Sequence, residues 1–243
     1  MKAYPVAAVA LATLACLAGC SSTANNQGPP CNPCDPPDGA AGAALPGHDT
    51  NPDGVPYPNP PGGYGRAARL GNRPGNVMRN FKFLGYPNAD KSQGLQTIAL
   101  ADYYDPCGRR AAMIHVTVAG IWCPNCILET TDIVAARASL DSQRVVVLQA
   151  LADGKTQGVA ATPADLDFWM AYEHVNFTEV LDPGLGNFGG FFNAAAIPWN
   201  ADLDPRTMEI IDEGVGRVSD VSAGLTAIPA QPGYPVPAVC GDN

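Results

Sequence analysis

The sequence predicts an α/β domain built on a central mixed sheet with helices packed against it. Three observations carry that prediction. AAMIHVTVAG (111–120) sets Ile114, Val116 and Val118 against His115, Thr117 and Ala119, the two-residue period of a strand. RVVVLQAL (144–151) is a continuous run rich in β-branched residues, as expected of a buried parallel strand. Between them, CILETTDIVAARASL carries Ile127, Thr131, Val134 and Ala138 at helical spacing, so strand, helix and strand alternate.

The remaining elements follow in order. From about Val77, VMRNFKFLGYP and LQTIALADYY predict short strands or a hairpin that leads into the domain. Thr162-Pro163-Ala164-Asp165 opens a second helix, with a capping hydroxyl, proline at the first helical position and an acid two residues on. It runs to about His174 and turns Leu166, Trp169 and Met170 inward. FTEVLD (177–182) predicts a further strand, and WNADLDPRTMEIIDEG a closing hairpin.

Three segments are expected along the chain. Lys2 precedes an apolar, alanine-rich run from about Pro5 to Ala18, too short to span a bilayer and shaped like a secretory signal over residues 1–19. Its ending, Leu17-Ala18-Gly19-Cys20, resembles the lipobox of bacterial lipoproteins. That resemblance implies that Cys16 is discarded, that Cys20 becomes the acylated first residue, and that acyl chains hold the protein on an extracytoplasmic membrane surface of the bacterial envelope. Residues 20–76 hold half of the 24 prolines and lack apolar periodicity, which predicts an extended tether. Residues 77–243 make the folded domain. With 14 basic and 23 acidic residues, the chain has no basic stripe to neutralise phosphates, and nucleic acid is excluded as a partner.

Beyond Cys20 six cysteines remain: Cys31, Cys34, Cys107, Cys123, Cys126 and Cys240. An even number in an oxidising compartment suggests disulfides, so a C-x-x-C could be an inert crosslink, a redox pair or half of a metal site. Position argues for chemistry at WCPNCILE. Cys123 falls at a strand end and in the first turn of the next helix, where free amides and the helix dipole stabilise a thiolate. It is the exposed candidate nucleophile, and Cys126 lies one turn away. Pro124 suits the start of the helix. Glu129, three residues beyond Cys126, could take that thiol's proton if burial raises its affinity for it, or could be an ordinary first-turn acid. Trp122 is expected to border the pair. Cys107 and Cys240 flank the domain, and a bond between them would staple the C-terminal segment to it.

WCPNCILE resembles the W-C-x-x-C-x-x-E site of TlpA/ResA-type thiol–disulfide oxidoreductases, which are membrane-tethered redoxin-domain proteins outside the cytoplasm. GLQTIALADYYD is similar to the hairpin that introduces that domain, and AAIPWNADLDP to the loop whose cis-proline faces the dithiol. Over residues 80–228 the resemblance implies a thioredoxin-like fold with an N-terminal hairpin extension. It implies an attacking Cys123, a resolving Cys126, a proton-accepting Glu129, and Ile197 and Pro198 as substrate contacts across a cis bond. It further implies no cofactor beyond the Cys123–Cys126 disulfide, protein disulfides or dithiols as substrates, and a membrane electron donor or acceptor. The sequence departs from the pattern in three places. Thr131 stands where a proline often kinks the helix, Pro124 comes first in the intervening dipeptide, and Gly108-Arg109-Arg110 replaces a short turn.

Other patterns weigh less. Gly184-Leu185-Gly186-Asn187-Phe188-Gly189 matches a dinucleotide fingerprint, but it comes late and Pro198 cuts off any sustained helix. His48, His115 and His174 are scattered, so no zinc-type cluster is expected. Copper(I) held by the cysteine pair is the alternative chemistry, although the C-x-x-C is one residue shorter than in copper-delivery relatives and lacks a partner histidine. A peroxidatic T-x-x-C fails at Gly120. A non-catalytic lipoprotein with a structural C-x-x-C is the remaining alternative.

Overall fold

The computed structural model describes residues 45–59, 72–193, 196–232 and 237–240, all within the second of the chain's two units, residues 36–243. The expected signal segment, the acylated Cys20 and the Cys31/Cys34 pair lie outside the described residues. No helix among the described residues is long and apolar enough to cross a membrane.

Seven strands form one sheet: β1 (Lys82–Tyr86), β2 (Gln96–Ala99), β3 (Met113–Gly120), β4 (Val145–Asp153), β5 (Thr178–Leu181), β6 (Trp199–Asp204) and β7 (Glu209–Val215). Their order is β2-β1-β5-β4-β3-β6-β7. The central three are parallel and every outer pairing is antiparallel. Parallel neighbours need crossovers, and helices α1 (Pro124–Ser142) and α2 (Pro163–Tyr172) supply them. This is the thioredoxin-like architecture: a dithiol helix after a central strand, and a hairpin entered through a cis-proline on the sheet's other flank.

Both helices pack on one face. Ile133 and Leu140 of α1 join Leu166 and Trp169 of α2 over Val147, Leu151 and Phe177. Among the described residues, the opposite face carries no long helix. It is covered by Phe81, the turn at Leu100–Tyr103 and an aromatic group in which Phe191 lies 5.0 Å and Phe188 5.6 Å from the Trp199 ring. Phe192 stacks on the same indole. The glycine-rich fingerprint is therefore loop. Asp182 accepts the amides of Asn187 and Phe188 there, and only short turns form.

Part of the segment expected to be tether belongs to the core. Val55 and Tyr57 are buried, the Tyr57 hydroxyl donates to the Met78 carbonyl at 2.7 Å, and Asn51 donates to the Tyr104 carbonyl. Residues 75–78 pair with the start of β7, where Gly75 N–H donates to Ile210 O and Met78 N–H to Met208 O. Proline content averaged over residues 20–76 hides these anchors, and a proline-rich chain can still dock where a valine and a tyrosine find a groove. At the other end, Cys107 and Cys240 are disulfide-bonded across 133 residues. A loop of that length gives about 4–5 kcal/mol of chain-entropy stabilisation.

Candidate active site

β3 ends in a register shift between Ala119 and Gly120, and the chain turns directly into α1. Bulges of this kind re-aim the residues that follow. Gly120 sits in close quarters, since a Cβ there would lie 3.0 Å from both Ile197 Cδ1 and Trp122 Nε1. Cys123 caps α1: its Sγ accepts the Cys126 amide at 3.1 Å and is bonded to Cys126 Sγ. Once the bond is reduced, that same amide and the helix dipole favour the Cys123 thiolate. The helix continues unbroken through Thr131, whose hydroxyl donates to the Ile127 carbonyl in the preceding turn.

Cys123 differs from the expected exposed nucleophile. It is 2% exposed, with its sulfur 3.5 Å from the Ile197 carbonyl. The Ile197–Pro198 bond is cis, and Ile197 packs against the cluster that holds Cys123 and Cys126. Trp122 forms the other wall. Its indole N–H donates to Asp153 Oδ2 at 2.9 Å, and the same oxygen accepts the Gly158 amide. Asp153, at the end of β4, therefore ties the tryptophan to the 154–160 loop. Sequence reasoning missed it, and an acid ending a long apolar strand was the available signal. Pro124 is exposed at the first position of the helix.

Glu129 is fully buried under the helix. Thr117 Oγ1 donates to its Oε1 at 2.7 Å, and Val218 N–H (2.6 Å) and Asn200 Nδ2 (3.2 Å) donate to Oε2. Burial pushes its carboxyl above the ordinary range, while the Thr117, Val218 and Asn200 hydrogen bonds pull it back. The result is a buried acid that can hold or release a proton.

Thr117 and Asn200 are part of a longer feature. In register across the helix-bearing face, Glu179 pairs with Gln149, Gln149 with Thr117, and Thr117 with Asn200. Gln149 is locked by Thr130 of α1 and Trp169 of α2. β3 is consequently buried on both faces, including the one its alternation reads as polar. A glutamine inside RVVVLQAL was the sequence signal for this row. Among the described residues, no group of three or more His, Cys, Asp or Glu side chains could hold a metal ion.

No family model matches the chain, and no curated protein matches it. Solved structures similar to it include the thioredoxin domain of a thiol-disulfide oxidoreductase from Bacteroides vulgatus, 12% identical with a TM-score of 0.48, covering 64% of this chain and 98% of that one. A secreted thiol-disulfide isomerase from Corynebacterium glutamicum is 15% identical with a TM-score of 0.45, covering 63% and 86%. The thioredoxin-like architecture of the chain itself rests on its strand order, its dithiol-capped helix and its cis-proline loop.

Proposed function

We propose that the protein is a membrane-tethered, extracytoplasmic thiol–disulfide oxidoreductase of TlpA/ResA type. Residues 1–19 are its signal segment, an acylated Cys20 its anchor and residues 20–44 the start of its tether. The observation that carries the reading is the joint placement of three groups: a Cys123–Cys126 bond at the head of α1, a buried and hydrogen-bonded Glu129 one turn below, and the Ile197 carbonyl against the attacking sulfur. A merely structural crosslink has no use for the second and third.

In the reducing direction, the Cys123 thiolate attacks a partner disulfide, forms a mixed disulfide and releases one partner thiolate. Cys126 then loses its proton to the Glu129 carboxylate and attacks Cys123 Sγ. The second partner thiolate leaves, and the Cys123–Cys126 bond is restored. Two electrons pass from the dithiol to the partner, and a membrane donor resets the pair. The substrate is a protein disulfide.

The test mixes the reduced protein with a disulfide-bonded protein such as insulin. Wild type is expected to reduce it, Cys123→Ser to be inactive, and Cys126→Ser to accumulate a mixed disulfide at Cys123. Failure of the wild-type protein to exchange with any protein disulfide would overturn the reading. Loss of radiolabelled fatty acid in Cys20→Ala tests the anchor separately.

A further inference from the structure

A cavity of about 220 Å³ opens between β6, β7 and the 214–218 turn. Its lining includes His115, Asn200, Asp202, Glu213, Arg217 and Val218. Two of these, Asn200 and Val218, donate to Glu129 directly. Three buried polar atoms on the lining residues have no partner among the described residues: His115 Nε2, Asn200 Oδ1 and Glu213 Oε2. Buried polar groups left so are satisfied by water when the space is polar and roomy, and this cavity has room for several molecules.

The chemistry of His115 is defined by its other nitrogen. Nδ1 lies 2.7 Å from Asp202 Oδ1, and a carboxylate can only accept, so Nδ1 carries the hydrogen. In the neutral ring Nε2 is then a bare acceptor; in the imidazolium it is a donor. The His115 side chain is 2% exposed and held by a partner that is itself pinned, since Gly224 packs so closely that a Cβ there would lie 2.1 Å from Asp202 Oδ2. A histidine oriented by a carboxylate, buried next to an acid and lining a polar cavity, has the parts of a proton shuttle.

Resting on the oxidoreductase reading, we infer that His115, oriented by Asp202, relays the Glu129 proton to solvent through this cavity. After Cys126 has been deprotonated, the Glu129 carboxyl gives its proton through cavity water to Nε2, forming an imidazolium that Asp202 stabilises. The imidazolium returns it to water at the cavity mouth, so no net charge accumulates. The other charged groups lining the cavity are Asp212 and Glu213 on β7 and Arg217 on the following turn. Arg73 pairs with Glu213, and Asp132 of α1 pairs with Arg217. His115 touches neither sulfur, so it acts only through Glu129.

The test needs no disulfide substrate. In the oxidised protein, the infrared absorption of the Glu129 carboxyl, assigned by its loss in Glu129→Gln, is followed after a pH jump. Relaxation is expected to slow about a hundredfold in His115→Ala and to recover when imidazole is added. Asp202→Asn and Gly224→Ala keep the ring but disturb its partner, and are expected to slow relaxation about tenfold. Wild-type relaxation in His115→Ala, or slowing that imidazole leaves unchanged, overturns the relay. Should His115→Ala not fold, unaltered relaxation in both Asp202→Asn and Gly224→Ala overturns it. If relaxation behaves as expected while the wild-type protein fails to reduce insulin, the relay stands and the oxidoreductase reading falls.

Discussion

Glu129 and Glu179 are both fully buried on the helix-bearing face of the sheet, and their surroundings are opposite. Glu129 accepts hydrogen bonds from Thr117, Val218 and Asn200. Neither carboxyl oxygen of Glu179 has a partner among the described residues. Burial raises the proton affinity of both, but only Glu129 has donors that favour its ionised form, and Glu179 is pushed well above the ordinary range. Depth without donors favours the protonated acid. Donors at the same depth make one that can cycle.

The largest expected contrast is in stability. Glu179→Met is expected to stabilise the protein by about 2 kcal/mol, since it removes an unsatisfied buried carboxyl. Glu129→Met should destabilise it by about 3 kcal/mol by stranding three donors. Denaturant midpoints measure both, and equal signs would break the comparison. In activity, Glu129→Gln is expected to slow the resolving step about a hundredfold, with Cys123 alkylation little changed. Glu179→Gln should leave stopped-flow exchange rates within about twofold of wild type, a smaller effect than general acid–base loss produces.

The pH dependence of stability sharpens the same point. A carboxyl raised on folding binds more protons in the native than in the unfolded state between its two values. Its contribution is therefore complete below the unfolded value near 4.3 and declines as pH rises towards the folded one. Urea titrations should show stability falling above that point. Glu179→Gln should flatten the fall more than Glu129→Gln, because Glu179 has no donor to limit its shift. The smallest effect belongs to Thr117→Val, expected to cost about 1 kcal/mol and to move the Glu129 titration further upward, as read by infrared absorption.

The alternation at 111–120, the run at 144–151 and the helix between them were legible because each is a local period. The dithiol, Glu129 and Ile197-Pro198 were legible as a resemblance of short motifs. The row of Glu179, Gln149, Thr117 and Asn200 was not, because its members lie on four strands and meet only through sheet register. The pairing of His115 with Asp202 spans 87 residues and is likewise a product of register. Val55 and Tyr57 were hidden for a different reason, since composition describes a segment and burial belongs to single side chains.

By itself, then, the sequence determined the α/β class, the C-x-x-C at a helix start and the acid one turn beyond it. Backbone periodicity and helical spacing act over a few residues and need no partner. Tertiary structure alone decided that Cys123 is covered, that Asp153 holds Trp122, and which buried glutamate has donors to favour its ionised form. Those outcomes depend on strand order and register, which set what each side chain meets across the sheet.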